Sequence, residues 1–243
     1  MSVPNAGGRA LTWEDLPELF PAFAVPGRWV ELLMRHAALL AAAADRIRVT
    51  AVGEDDMVKR HYAESLEILR IASEAGWDGE ACDVGSGGGF PGLVFAAVRP
   101  DLSVHLVEPL QKRAKLLERV VTELGMSNVH VYAVRAEDAG HGPLRNRCGL
   151  VTARAVAALR ELLEYTAPLA APGALVAIPK GSALDEEIDG AGRAMDTLGV
   201  MAEGRVAMRR NVSEHIEVLL LRKQGPTPPG YPRRAGVPAK RPL

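Results

Sequence analysis

The chain has 243 residues, of which 48% are hydrophobic and 24% charged, so it is long enough for one sizeable core and a short accessory segment. Its net charge of −1 gives no overall sign of nucleic-acid binding, but six basic and no acidic residues follow Leu221, which leaves 23 basic against 30 acidic residues before that point. Two cysteines, Cys82 and Cys148, exclude a disulfide framework, and the absence of a long apolar run predicts a soluble cytoplasmic protein without a membrane span.

The first third of the chain is predicted to be helical. From Trp13 to about Ala75, apolar residues recur at the spacing of a helix face, with little sign of strands. The first nine residues carry no such pattern and are expected to be disordered. We therefore assign residues 1–76 to a helical N-terminal segment that packs on the core.

A different pattern begins near residue 77, where short apolar runs alternate with amphipathic helices. The predicted strands are Ala81–Val84, Val104–Val107, Val129–Ala133, Leu150–Ala153 and Leu175–Ile178, followed by an antiparallel edge pair at Arg205–Arg209 and Ile216–Leu221. Alternation of strands and helices indicates βαβ units. We expect residues 77–223 to form an α/β domain with a Rossmann-like, doubly wound, mostly parallel sheet of seven strands.

The chain ends in a basic, proline-rich segment, residues 224–243, with the sequence QGPTPPGYPRRAGVPAKRPL. Proline lacks a backbone N–H donor, so this composition cannot form a regular element throughout. Two alternatives remain open for the segment: a flexible arm, or an extended strap that lies on the body.

The stretch DVGSGGGFPG, residues 83–92, follows the first predicted strand and precedes a helix, which is the usual place of a nucleotide-binding loop. A dinucleotide site spaces its glycines as G-x-G-x-x-G. Here Gly85, Gly87 and Gly89 alternate with other residues and are followed by Phe90-Pro91, which would crowd a pyrophosphate. The loop therefore favours a phosphate-free nucleoside such as S-adenosylmethionine and disfavours an NAD-linked oxidoreductase.

Acidic residues follow three successive strands and suit the three parts of that ligand. Glu108 ends the second strand, where a carboxylate can accept both ribose hydroxyls. Ala136 and Glu137 follow the third strand and could bind the adenine amino group, and Asp83 could face the ammonium of the methionine part. The pattern indicates a class I methyltransferase. The alternative roles are a solvated charge at a strand end for Glu108, a helix cap for Glu137 and a cap of the loop backbone for Asp83.

The methyl acceptor is constrained by residue types that the chain lacks. Exocyclic amines are methylated by enzymes with an Asn/Asp-Pro-Pro-aromatic loop after the fourth strand, but this chain has TARAVAAL there. Methylation of pyrimidine C5 needs a cysteine nucleophile, and Cys148 precedes that strand and is poorly placed. A ring nitrogen such as guanine N7 has an in-plane lone pair, so alignment alone can suffice. We therefore expect no dedicated general base and no metal.

Basic residues follow the strands as well. Lys112 and Arg113 follow the second strand, Arg135 the third, Arg154 the fourth and Lys180 the fifth. In an open α/β sheet these strand ends converge on one crevice, and five cations there indicate an anionic substrate with phosphate contacts. The alternative is ordinary surface charge on the helices.

Seven stretches between the N-terminal helices and the last residue carry a resemblance to a known family. They are KRHYAESL (59–66), DVGSGGGFPGL (83–93), LVEPLQKRAKLL (106–117), VRAED (134–138), ARA (153–155), PKG (179–181) and YPRRAGVPAKRPL (231–243). In these stretches the chain resembles the RsmG (GidB) ribosomal RNA methyltransferases. The resemblance implies a monomer that transfers a methyl group from S-adenosylmethionine to N7 of one guanine near the decoding site of 16S rRNA.

The resemblance also implies roles for individual residues. Those that would line the cofactor site are Gly85, Phe90, Ala136, Glu137 and Arg154. Those that would serve the RNA and the target guanine are Lys112, Arg113, Arg135 and Lys180. Arg154 and Lys180 are our candidates for catalysis, and Arg233 and Arg234 add RNA contacts from the C-terminal segment.

Two positions depart from the family pattern. Glu64 stands where many members have Asp in an RHxxDS motif, and Glu108-Pro109 stands where many have Asp-Ser. The acid is retained in both places, although the role of Glu64 is open. Two alternative functions share the same cofactor fold: a methyltransferase of small molecules, and a non-catalytic RNA-binding factor of ribosome assembly.

Overall fold

A computed structural model describes residues 10–23, 28–47, 52–154 and 157–243. The disorder predicted for the first nine residues therefore lies outside the described residues. One sheet organises the chain, and its strands are β1 (Ala81–Val84), β2 (Val104–Val107), β3 (Val129–Tyr132), β4 (Cys148–Ala153), β5 (Ala170–Lys180), β6 (Val200–Ala207) and β7 (Glu217–Lys223).

The seven strands lie in the order β3-β2-β1-β4-β5-β7-β6. Strands β1 to β5 pair in parallel, whereas β7 is antiparallel to both β5 and β6. This topology confirms the predicted mostly parallel α/β sheet with an antiparallel edge. The reversal of direction between β1–β2 and β1–β4 is the switch point at which open sheets of this kind bind ligands.

The helices surround this sheet and begin with the N-terminal segment. They are α1 (Asp15–Leu19), α2 (Arg28–Ala43), α3 (Glu54–Met57), a π-helical turn (Val58–Ala63), α4 (Glu64–Ala75), α5 (Gly92–Val98), α6 (Gln111–Leu124), α7 (Ala136–Ala139), α8 (Leu159–Thr166), α9 (Leu184–Asp189), α10 (Gly192–Leu198) and α11 (Val237–Lys240). No helix of the described residues is both long and apolar enough to cross a membrane.

The core has two layers because successive strand residues point to opposite faces of the sheet. On β2, Leu106 packs into a layer that also contains α2, α4 and α5, and Val107 packs into the layer beneath α8 and α10. Cys82 and Cys148 are both buried in this second layer, where they pack as small core residues. Burial on both faces explains why the central strands read as continuous apolar runs.

The predicted strand bounds are most accurate at the centre of the sheet. Strands β1 and β2 have the predicted bounds, and β3 ends one residue earlier, at Tyr132. Strand β5 begins at residue 170 rather than 175, because Pro172 and Gly173 inside it look like a turn in the sequence. The prediction was wrong for β6, which starts at residue 200. Its residues after Val200 are exposed, so the edge strand carries no apolar alternation.

The C-terminal segment lies on the body as a strap. The guanidinium of Arg145 donates to the carbonyls of Thr227, Pro228 and Tyr231 at 2.7–3.1 Å. The buried carboxylate of Glu164 on α8 accepts from the backbone N–H of Arg233 at 2.7 Å and from its guanidinium. These contacts fix the direction of the strap across α8.

Candidate functional site

The site lies at the edge of the sheet where the parallel strands end. Residues 85–91 connect β1 to α5 there, beside the end of β2. The backbone N–H of Gly85 donates to the carbonyl of Val107 at 2.8 Å, which ties the start of the loop to β2. The loop is therefore anchored to two strands at the switch point of the sheet.

Three glycines give this loop its shape. Gly85, Gly87 and Gly89 have φ values of 73°, 56° and 96°, in the left-handed region that other residues rarely adopt. Space is a second constraint at Gly89, since a Cβ atom there would lie 2.3 Å from Cδ1 of Leu93. The G-x-G-x-G spacing thus reflects backbone conformation.

Glu108 binds the loop from the end of β2. Its Oε2 accepts from the N–H of Gly87 at 2.9 Å, and its Oε1 accepts from the N–H of Leu110 at 2.9 Å. The residue is 2% exposed. Each carboxylate oxygen has a second lone pair, so Glu108 can still accept hydroxyl donors from a ligand.

Only one of the two carboxylate oxygens of Asp83 accepts a hydrogen bond from the described residues. Its Oδ2 accepts from the N–H of Gly92 at 2.9 Å, whereas Oδ1 is buried and has no hydrogen-bond partner among the described residues. Burial raises the pKa of Asp83 to about 7. A buried carboxylate oxygen without a donor is an atom that a bound N–H or ammonium group would satisfy. Together with Glu108, it makes these residues fit S-adenosylmethionine.

Aromatic side chains from the N-terminal segment enclose Phe90. The ring of His61 stacks on Phe90 with 4.5 Å between ring centroids, and Tyr62 meets it edge-on at 5.1 Å. His36 of α2 lies 5.1 Å from the same ring and hydrogen-bonds the carbonyl oxygen of Gly88. Sequence reasoning missed these supports, although His61 and Tyr62 lie in the KRHYAESL stretch that carried the resemblance.

Arg154 turns from the end of β4 toward the π-helical turn. Its guanidinium donates to the carbonyl of Arg60 at 3.0 Å and lies 3.7 Å from Oε2 of Glu64. Burial lowers the pKa of Arg154 and raises that of Glu64, and each opposes the shift of the other by its charge. Glu64 therefore serves as the ion-pair partner of Arg154.

Lys180 and Glu137 already have partners within the chain. The ammonium of Lys180 donates to the carbonyl of Ala157 at 2.8 Å and to Glu187 at 2.7 Å, and its side chain is 12% exposed. Glu137 is buried, and its Oε1 accepts from the backbone N–H of Gly236 in the strap at 2.8 Å. The ligand contacts that we predicted for both residues, and for half-buried Ala136 beside Glu137, stay predictions.

The remaining basic candidates differ in exposure. Lys112 and Arg135 are exposed and Arg113 is half-buried. Lys112 and Arg113 lie in the first turn of α6, which follows β2, and Arg135 immediately precedes α7, which follows β3. In the strap, Arg234 is exposed, whereas Arg233 is used by its ion pair with Glu164. This ion pair gives Arg233 a structural role that the sequence did not indicate. The RNA contacts predicted for Arg233 and Arg234 stay predictions.

The sheet order, the glycine loop and the acid at the end of β2 define the fold of the class I methyltransferases. A solved S-adenosylmethionine-dependent methyltransferase from Aquifex aeolicus matches this fold with a TM-score of 0.51 and 17% identity, covering 69% of this chain and 93% of that one. A 16S rRNA (adenine(1408)-N(1))-methyltransferase from Catenulisporales acidiphilia matches with a TM-score of 0.50 and 17% identity, covering 68% and 93%. At 17% identity, these two matches show a shared fold alone.

Sequence comparison narrows the class to a family. The family model GidB, described as rRNA small subunit methyltransferase G, matches residues 30–216. A ribosomal RNA small subunit methyltransferase G from Symbiobacterium thermophilum is 41% identical over 223 residues, covering 88% of this chain and 90% of the relative. One from Roseiflexus castenholzii is 38% identical over 218 residues, covering 89% and 92%. The chain belongs to the GidB family of rRNA small subunit methyltransferases, which confirms the resemblance.

Proposed function

We propose that this protein transfers the methyl group of S-adenosylmethionine to N7 of one guanine in 16S rRNA near the decoding site. The observation that carries the proposal is the carboxylate of Glu108 bound to the N–H of Gly87, in a chain that belongs to the GidB family. This arrangement supports a nucleoside ligand, because a carboxylate at the end of β2 can accept the hydroxyls of a ribose.

The proposed cofactor contacts come from three strand ends. Glu108 accepts the ribose hydroxyls, residues 136–137 face the adenine, and Oδ1 of Asp83 receives the ammonium of the methionine part. Phe90 is held by His61 and forms an apolar wall beside the glycine loop. When bound, S-adenosylmethionine supplies a methyl group that is already activated by its sulfonium sulfur.

No residue is needed as a base, because N7 carries a free lone pair. The state of the nearby carboxylates supports this mechanism: Asp83 is buried, Glu108 accepts two backbone N–H groups, and Glu64 faces Arg154. The chain's contribution is therefore to hold donor and acceptor in line, which can account for much of the rate enhancement.

Exposed cations at the same edge are proposed to bind the RNA backbone. Lys112 and Arg135 are exposed there, and Arg113 adjoins them. Exposed Arg234 lies two residues before Gly236, whose N–H donates to Glu137 after β3. We propose Arg154 as a cofactor-site residue that holds the π-helical turn against Phe90. We propose that Lys180 lines the site at the end of β5, as Arg154 does at the end of β4. Direct contact of either residue with the guanine is a separate prediction.

The test of this function is methylation in vitro. The protein is incubated with labelled S-adenosylmethionine and either naked 16S rRNA or small ribosomal subunits, and the modified nucleoside is identified by mass spectrometry. We expect 7-methylguanosine at a single position. Binding of S-adenosylmethionine without any RNA product would favour a methyltransferase of small molecules, and failure to bind it would favour a non-catalytic assembly factor.

The RNA-binding part has its own test. Removing one phosphate contact should lower the slope of log affinity against log salt by about 0.7 for single-stranded RNA. We expect this for Lys112→Ala and Arg135→Ala but not for Arg119→Ala, an exposed residue later on α6 that pairs with Glu123. Equal slopes for all three variants would contradict the proposed RNA face. We also propose a cytoplasmic monomer, and light scattering should give a mass near 26.0 kDa.

A further inference from the structure

One carbonyl of the glycine loop is held by a residue outside the α/β domain. Nε2 of His36, on α2, lies 2.8 Å from the carbonyl oxygen of Gly88. Nδ1 of the same ring lies 3.1 Å from the hydroxyl of Tyr62 in the π-helical turn. His36 and Tyr62 are 1% and 0% exposed, so water does not compete for these contacts.

The direction of both hydrogen bonds follows from chemistry. Burial lowers the pKa of His36 to about 4, so the ring is neutral at pH 7 and carries one N–H. A carbonyl oxygen only accepts, which places that hydrogen on Nε2 and leaves Nδ1 as an acceptor. Burial also raises the pKa of Tyr62 above its usual value, so its hydroxyl keeps the proton that it donates to His36. The donor chain runs from Tyr62 through His36 to Gly88.

The carbonyl at the end of this chain lies between two left-handed glycines, Gly87 and Gly89. The N–H of Gly87 is bound by Glu108 on one side, and the carbonyl of Gly88 is bound by His36 on the other. The two peptide units on either side of the Gly87–Gly88 peptide are thereby both held. Gly88 is buried beside Phe90 and Leu40, so water is kept from its carbonyl.

We propose that His36 and Tyr62 are positioning residues of the cofactor site, which fix the Gly88 carbonyl and thereby make the N-terminal helical segment necessary for affinity toward S-adenosylmethionine. This inference rests on the proposed use of that cofactor. The effect on the loop itself is present without any ligand, so it can be measured separately.

The first experiment measures the dissociation constant of S-adenosylmethionine by calorimetry for the full chain. His36→Leu removes the donor to Gly88, and we expect the constant to rise at least about tenfold, the equivalent of one lost hydrogen bond of about 1.4 kcal/mol. Tyr62→Phe keeps the ring and should raise it about threefold. His36→Gln keeps an N–H donor and should restore affinity to within about threefold of the wild type.

Two matched controls separate positioning from general stability. Leu33→Ala removes a buried side chain from the same helix, and Tyr165→Phe removes a hydroxyl that bonds Glu161 instead of the loop. Both should leave the dissociation constant unchanged, although Leu33→Ala lowers the melting temperature. If Leu33→Ala weakens binding as much as His36→Leu, or if His36→Leu and Tyr62→Phe both bind as the wild type does, the inference is overturned.

The second experiment needs no cofactor. Hydrogen exchange of the backbone N–H groups of Gly89 and Phe90, which donate to Ser86, reports the order of the loop. Exchange should be faster in Tyr62→Phe than in Tyr165→Phe and faster still in His36→Leu. If His36→Leu does not fold, Tyr62→Phe carries both tests. A wild type that does not bind S-adenosylmethionine contradicts the proposed function, and unchanged exchange in Tyr62→Phe and His36→Leu contradicts the positioning.

Discussion

Replacing Glu108 with glutamine tests how the glycine loop is held. The two carboxylate oxygens each accept one backbone N–H at 2.9 Å, from Gly87 and from Leu110. Glutamine has one oxygen and one NH₂ group, so in either orientation one N–H faces another donor. Hydrogen bonds to a charged group contribute about 1.5–3 kcal/mol each, and we expect Glu108→Gln to destabilise the fold by about that amount.

The assays for this variant are thermal unfolding and calorimetric titration with S-adenosylmethionine. A loss of about 1.5–3 kcal/mol corresponds to a fall of about 3–12 °C in melting temperature for a chain of this size. If the same loss appears in binding, the dissociation constant should rise about 10- to 100-fold. Glu203→Gln is the matched control, since Glu203 pairs with Arg222 on the surface of β6 and should cost under about 1 kcal/mol. A Glu108→Gln protein with wild-type melting and affinity would refute the reasoning.

Three further substitutions test the neighbouring contacts. Gly89→Ala places a Cβ atom 2.3 Å from Cδ1 of Leu93 and should lower both the melting temperature and the cofactor affinity. Gly173 has a similar φ, but a Cβ atom there would meet no other atom within 4 Å, so Gly173→Ala should lower only the melting temperature. The fold raises the pKa of Asp83 to about 7, so folded Asp83 keeps a proton that the unfolded chain releases near pH 4. The stability of the wild type should therefore fall relative to that of Asp83→Asn as the pH rises between these two values. A stability difference that stays constant over this range would contradict the prediction. Arg233→Ala removes the guanidinium that pairs with buried Glu164 and leaves only the backbone N–H of residue 233 as a donor. It should cost about 3 kcal/mol and expose residues 224–243 to proteolysis, whereas Arg234→Ala should not. Equal melting and digestion of the two proteins would refute the structural role.

The sequence predicted most of the fold because the central strands are buried on both faces and flanked by helices with regular apolar spacing. Strands β1 and β2 were therefore located to the residue. Strand β6 was not, since its residues after Val200 are exposed and an edge strand without a buried face leaves no alternation to detect. The order of the strap was also beyond the sequence, because Glu164 and Arg145 bind it from positions far away along the chain.

The site was predictable where backbone conformation and charge leave a local pattern. Glycines at left-handed positions and an acid at the end of a strand can be recognised from their spacing, as Gly85, Gly87 and Glu108 show. The support from the N-terminal helices leaves no such pattern. His36 lies 52 residues before Gly88 and occupies an ordinary apolar position of an amphipathic helix, so only the structure reveals that its ring reaches the loop.

Nucleoside analysis of 16S rRNA after reaction with the purified protein tests the central claim most directly. RNA from cells that lack the protein is incubated with S-adenosylmethionine and either the wild type or Glu108→Gln, and the position of the added methyl group is mapped. The proposed function predicts 7-methylguanosine at one guanine near the decoding site with the wild type and much less with the variant. A methyl group on another atom, or none with a wild type that binds S-adenosylmethionine, would contradict it.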